Sequence, residues 1–137
     1  MENKAQPLSP QLQSQFLALY CMIVADGVID VSELETLYRI GKEQYGLTPT
    51  EINQAVVEKG DSFIVPENVD AKIKFLYNLA TIAWADGILE ESEKNLMRKY
   101  ISRLGFMEEN NDAIAQFIFN CVHEGKTIEE TLSLAKS

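Results

Sequence analysis

Ala25-Asp26-Gly27-Val28-Ile29-Asp30-Val31-Ser32-Glu33 and Ala85-Asp86-Gly87-Ile88-Leu89-Glu90-Glu91-Ser92-Glu93 are one stretch used twice, sixty positions apart. The chemical types match one for one, except that Glu91 stands where Val31 does. Each copy follows an apolar run and precedes a helix-like pattern. Glycine after aspartate supplies a turn that a residue with a Cβ adopts only at a cost, so each copy reads as a corner between two helices. Ile29 reads as an apolar anchor within the first corner. Beyond it two capping registers are open, Asp30 with Glu33 and Ser32 with Glu35.

Outward from the corners the chain reads as helices throughout. Met1 to Leu8 is polar and reads as a loose lead-in. Ser9-Pro10 is an N-cap followed by proline at the first helical position, and the helix it opens runs to about Ala25, apolar on every face from Leu17 onward. Leu34, Leu37, Tyr38 and Tyr45 mark one face of the second helix, which Gly46 stops. Thr48-Pro49-Thr50-Glu51 opens a short third helix closed by Gly60-Asp61. Residues 62–67 lack a helical period and form an extended connector pinned by Phe63. A second buried helix starts between Glu67 and Asp70 and runs to Ala85. The second corner follows, then a helix from about Ser92 to Leu104, a helix capped by Asn110 to Asp112, and a last one opened by Thr127-Ile128-Glu129-Glu130. The expected fold is therefore all-α: a single compact bundle of about seven helices, built from two pseudo-repeated three-helix units (about 9–60 and 68–122) and a C-terminal helix (128–136), with residues 1–137 as one domain.

Composition narrows the function classes. The net charge of −9 disfavours nucleic acid and anionic membrane surfaces, both of which are bound through Lys and Arg. The longest apolar run, Phe16 to Ala25, is shorter than a bilayer span, and Met1 to Gln11 has no apolar core of a secretory signal. Cys21 and Cys121 lie far apart without metal-type spacing and read as reduced thiols. The expectation is a cytoplasmic protein without membrane insertion, whose partner is an unidentified protein. His123, the only histidine, sits beside a glycine turn; no triad, phosphate loop or nucleophile elbow is present, so no enzymatic activity is expected.

Asp-Gly-x-Ile/Leu-x-x-x-Glu matches the second half of an EF-hand calcium loop. The full loop needs oxygen ligands two and four residues before the aspartate, where this chain has Val24 and Met22, then Trp84 and Ile82. Neither copy is an EF-hand. The duplicated helical layout, with Trp84-Ala85-Asp86-Gly87 through Glu93 followed by Leu104-Gly105-Phe106, instead resembles the TerB-like family, over about Ser9 to Ala135. That family comprises tellurite-resistance TerB proteins and the N-terminal domains of some membrane-bound DnaJ-like co-chaperones. The resemblance implies a compact bundle of about seven helices that acts as a stress-linked binding module, without catalysis, and binds metal through acidic residues. Carried onto this chain, the motif acids are Asp26 and Glu33 in the first copy and Asp86 and Glu93 in the second, with Asp30 and Glu90 as further candidates.

Two readings of these six acids stand. Hard oxygen ligands suit a divalent cation such as calcium, magnesium or manganese, and no organic cofactor is expected. Alternatively the acids are caps and turns only: a carboxylate in a helix's first turn contributes about 0.3–1 kcal/mol through the helix dipole, and a capping side chain about 1 kcal/mol. In that case the chain is a protein-interaction scaffold. The cation reading requires the acids of the two copies to come together.

Overall fold

In the computed structural model, residues 9–25, 27–57 and 63–136 are described. The lead-in over 1–8, Asp26 of the first corner, Gly60-Asp61 as the stop of the third helix and Ser62 of the connector lie outside them. Ser9 caps α1 (Pro10–Ile23) by accepting the Leu12 N–H at 3.2 Å. Asp30 caps α2 (Val31–Tyr45), which ends at Gly46. Thr48 and Glu51 exchange the two hydrogen bonds of a capping box, 2.9 and 3.2 Å, at the start of α3 (Pro49–Val57). Asn68 caps α4 (Val69–Ala83), and α5 (Glu91–Arg103), α6 (Asn111–His123) and α7 (Ile128–Lys136) follow. Thr127 and Glu130 form the box that opens α7. Among the described residues the chain is all-helical, with seven α-helices and no strand.

The two apolar helices pack on each other and carry the core. No residue of 17–25 or 75–85 is exposed. Phe16, Leu19, Met22 and Ile23 of α1 and Phe75, Leu76, Leu79 and Ile82 of α4 are essentially inaccessible. Helix α4 also touches α2, α5, α6 and α7, so its apolar residues serve several neighbours at once. The one amide within it, Asn78, is satisfied by a reciprocal pair of hydrogen bonds with Gln44, 2.9 and 3.0 Å. The described part of the connector, residues 63–67, is neither helix nor strand. Phe63 sits on the rings of Phe75 and Tyr100, with centroids 5.2 and 5.1 Å away, and the Ile64 N–H donates to Ser14 Oγ at 2.8 Å.

Helices α1 and α4 both stop two residues short of the expected ends, by the same device. The N–H groups of Val24 and Trp84 still reach back four residues, but those of Ala25 and Ala85 reach back three, to Met22 and Ile82. This tightened turn brings Gly27 and Gly87 round at φ +84° and +82°, each donating to the residue three before it at 2.9 Å. The start of α6 also differs from expectation. A 3₁₀ turn over Glu108–Asn110 precedes it, and Asn110 provides no side-chain cap. Asn111 is instead buried, its amide donating to the Arg98 carbonyl and Ser102 Oγ at 2.9 and 2.8 Å, which ties α6 to α5.

Two substitutions separate core from corner. Leu79→Ala, in the fully buried face of α4, lowers unfolding free energy in urea by about 2–5 kcal/mol. Gly87→Ala meets nothing within 4 Å, so its cost is backbone alone, about 1–2 kcal/mol. A larger loss at Gly87→Ala than at Leu79→Ala contradicts this account.

Candidate functional site

Each corner uses its acids first for local structure. Asp30 Oδ1 accepts the N–H of Ser32 at 2.8 Å and of Glu33 at 3.4 Å, which selects the first of the two capping registers. Asp86 Oδ1 accepts the Ile88 N–H at 3.0 Å and holds the second turn. Glu93 Oε1 accepts the Glu90 N–H at 2.9 Å. The side chains of Asp86 and Glu90 are exposed.

Glu33 and Glu93 behave differently from the other described acids. They are only 3% and 2% exposed, and they are hydrogen-bonded to each other. Helical spacing explains the burial. Glu33 lies one turn ahead of Leu37 and two ahead of Gly41, and Glu93 one turn ahead of Met97 and two ahead of Ile101. Both glutamates therefore extend the buried stripes of their helices, and the fold brings the Glu33 side chain to that of Glu93. A hydrogen bond between two carboxyl groups requires a proton on one of them. Glu93 accepts the Glu90 N–H, and the burial of Glu33 together with the charges around it favours the proton on Glu33. Its pKa is pushed up from 4.5 to about 9, by burial first, then by the hydrogen bond to Glu93, then by the negative charges of Glu93, Asp86 and Asp30. At neutral pH the junction is thus an acid–carboxylate pair sharing one proton, and the pair titrates as a unit.

The structure brings Glu33 and Glu93 together and sets Asp30 and Asp86 near enough to act on Glu33 electrostatically. Glu90 contributes its backbone N–H. Asp26 lies outside the described residues. Among the described residues no group of three or more acidic, histidine or cysteine side chains is arranged to hold a metal ion. The acids that meet are the two glutamates. The cation reading needs the acids of the two copies to come together; the stripes Glu33-Leu37-Gly41 and Glu93-Met97-Ile101 were the signal that Glu33 and Glu93 are buried.

One expectation is corrected. Ile29 is not an anchor: it is 52% exposed, because the corner turns its side chain away from the core, while Leu89, its counterpart, packs half-buried against the core. His123 is exposed at the end of α6, its ring 4.3 Å from that of Trp84, whose indole N–H donates to the Phe119 carbonyl at 3.0 Å. Cys21 and Cys121 are free thiols. No described helix is long and apolar enough to cross a membrane. The chain matches no family model, and no curated protein or solved structure matches it significantly.

The shared proton sets a pH dependence. The folded-state pKa of Glu33 lies above its ordinary value, so folding takes up a proton between about pH 4.5 and pH 9. The stabilisation is fully present below pH 4.5 and is lost as the pH rises through about 9. In Glu33→Gln an uncharged amide replaces the protonated acid and donates to Glu93 at every pH. The variant melts higher than the parent at pH 8 and loses less stability than the parent between pH 5 and pH 9. A pH profile unchanged by the substitution contradicts the shared proton.

Proposed function

We propose that this chain is a non-enzymatic, cytoplasmic module of the TerB-like kind, made of two pseudo-repeated helical units, and that the junction of its two Asp-Gly corners binds a divalent cation. The observation that carries the reading is the buried Glu33–Glu93 pair. Two carboxyl groups held in contact, with Asp30 and Asp86 adding negative charge, form a site where a positive charge must be supplied, by a proton or by a metal. The repeated unit is supported by the matching hydrogen bonds and glycine conformations of the two corners. The absence of catalysis is supported by the burial of the pair, since an acid–base dyad works by touching its substrate.

The donor set bears on the metal. Calcium takes about six to eight oxygen ligands, whereas magnesium is held by one or two carboxylates and keeps several waters. Two converging glutamates fit magnesium, or manganese with similar hard-ligand chemistry, better than calcium. Glu33 and Glu93 would hold the ion directly, with Asp86, Asp30 and the motif residues Asp26 and Glu90 as the surrounding acidic set. The bound ion would supply the charge that the shared proton otherwise supplies.

A second reading, the protein-interaction scaffold with purely structural corners, is favoured by a different observation. Asp30, Asp86 and Glu93 each already accept a backbone N–H. Thermal melts with millimolar magnesium, manganese or calcium separate the two. A ligand at a hundredfold excess over its Kd stabilises by about 2.7 kcal/mol. The cation reading expects an upward shift with magnesium or manganese that is larger at pH 8 than at pH 6, because the ion competes with a proton, and that is absent in Glu33→Gln and Glu93→Gln. Melting temperatures indifferent to all three cations leave the scaffold.

A further inference from the structure

Helix α1 carries more apolar surface than its neighbours cover. Phe16 and Leu19 are buried in the core, but Leu17 is only half-buried. Beside it lies a cavity of about 380 Å³ between α1, the connector and α5. Leu17 and Ala18 line it from α1, Phe63 and Ile64 from the connector, and Tyr100 and Arg103 from α5. Its walls are fixed before anything enters. The Ile64 N–H donates to Ser14 Oγ at 2.8 Å, which fastens the connector to α1, and the Phe63 ring rests on those of Phe75 and Tyr100. The charge is one-sided. The chain has 21 aspartates and glutamates, and none is among the described residues that line the cavity. The cation is Arg103, whose guanidinium lies over the rings of Phe63 and Tyr100, 5.2 and 5.6 Å from their centroids. A guanidinium held on ring faces keeps its N–H edge for an oxygen ligand. Arg98, earlier on α5, is the contrast: Asp112 takes its Nε at 2.8 Å and Glu91 stands 3.9 Å away. Among the described residues no carboxylate pairs with Arg103.

We propose that this cavity binds a small monocarboxylate with an apolar body, its carboxylate on the Arg103 guanidinium and its body against Leu17, Ala18, Phe63 and Ile64. The volume stands near the lower end of the roughly 300–1,000 Å³ of small-molecule sites, which suits a short chain rather than a long-chain lipid. One guanidinium matches one carboxylate as a bidentate pair. A phosphate would bring further negative charge that no second lining cation answers. An amine of the same length would meet Arg103 as a like charge, with no lining acid to pair with it among the described residues. No described lining residue belongs to the two Asp-Gly corners, so this site stands independently of the cation reading.

The test is a titration of the methyl-labelled full chain with sodium octanoate at neutral pH, read on the methyl resonances of Leu17, Ala18 and Ile64. Those resonances shift together and saturate, while that of Leu134, exposed on α7 away from the cavity, does not follow. Arg103 is itself exposed, so Arg103→Gln leaves the core methyl spectrum in place and weakens octanoate about fivefold or more. Ile64→Ser, which removes part of the apolar wall, weakens it in the same direction. Octylamine, equal in length and opposite in charge, gives no saturable shift. Glu33→Gln, which removes the cation response, keeps octanoate affinity, so the two sites fail separately. Absence of a saturable shift, equal affinity of Arg103→Gln, equal binding of octylamine, or a shift at Leu134 as large as at Leu17 would each overturn the proposal.

Discussion

Two glutamates that share a proton away from water set the constraint around which this structure is arranged. A carboxylate is costly to bury, and two in contact more so, because desolvation and mutual repulsion act in the same direction. The chain accommodates them by keeping Glu33 protonated and by giving Glu93 a backbone N–H to accept. The resulting bond lies between the first turns of α2 and α5, helices that each follow an Asp-Gly corner. It joins the halves of the chain at a point where an apolar pair would have satisfied packing alone. That a charge-bearing pair stands there makes the junction responsive to protons and, on the proposed reading, to cations.

The rest of the architecture positions this contact. Helices α1 and α4 are buried against each other, and each delivers its corner through the same tightened last turn and left-handed glycine. Asp30 and Asp86 hold the turns, and their charges act on Glu33. The acids therefore have two simultaneous roles. As caps and turn acceptors they fix the backbone locally; as a set they raise the proton affinity of the junction. Caps and site are consequently not exclusive alternatives: a carboxylate with one oxygen on a backbone N–H keeps lone pairs for a second partner.

Much of the fold was legible because its signals are local. Pro10, Gly46, Thr48 with Glu51, and Thr127 with Glu130 mark helix ends by chemistry that acts within a few residues, and each is found where the spacing places it. The apolar faces of α1 and α4 foretold their burial. What spacing could not foretell is tertiary. The tether of Asn111 to Arg98 and Ser102 fixes the entry of α6 through a contact between helices, which the Asn110–Asp112 pattern does not encode. Ile29 and Leu89 are equivalent in sequence but differ in exposure, because the packing around the two corners is not the same. At the site, the repeat showed which acids correspond, and only the folded chain shows that Glu33 meets Glu93.

The shared proton is read most directly by the side-chain carboxyl ¹³C shifts of glutamate-labelled protein across a pH titration, without added divalent cations. The account predicts that the Glu33 carboxyl resonance stays in its protonated position through neutral pH and moves with an apparent midpoint near 9. It also predicts that the Glu93 resonance responds in the same step, as expected of coupled groups. A Glu33 resonance that titrates near 4.5, like an isolated solvent-exposed glutamate, would contradict it.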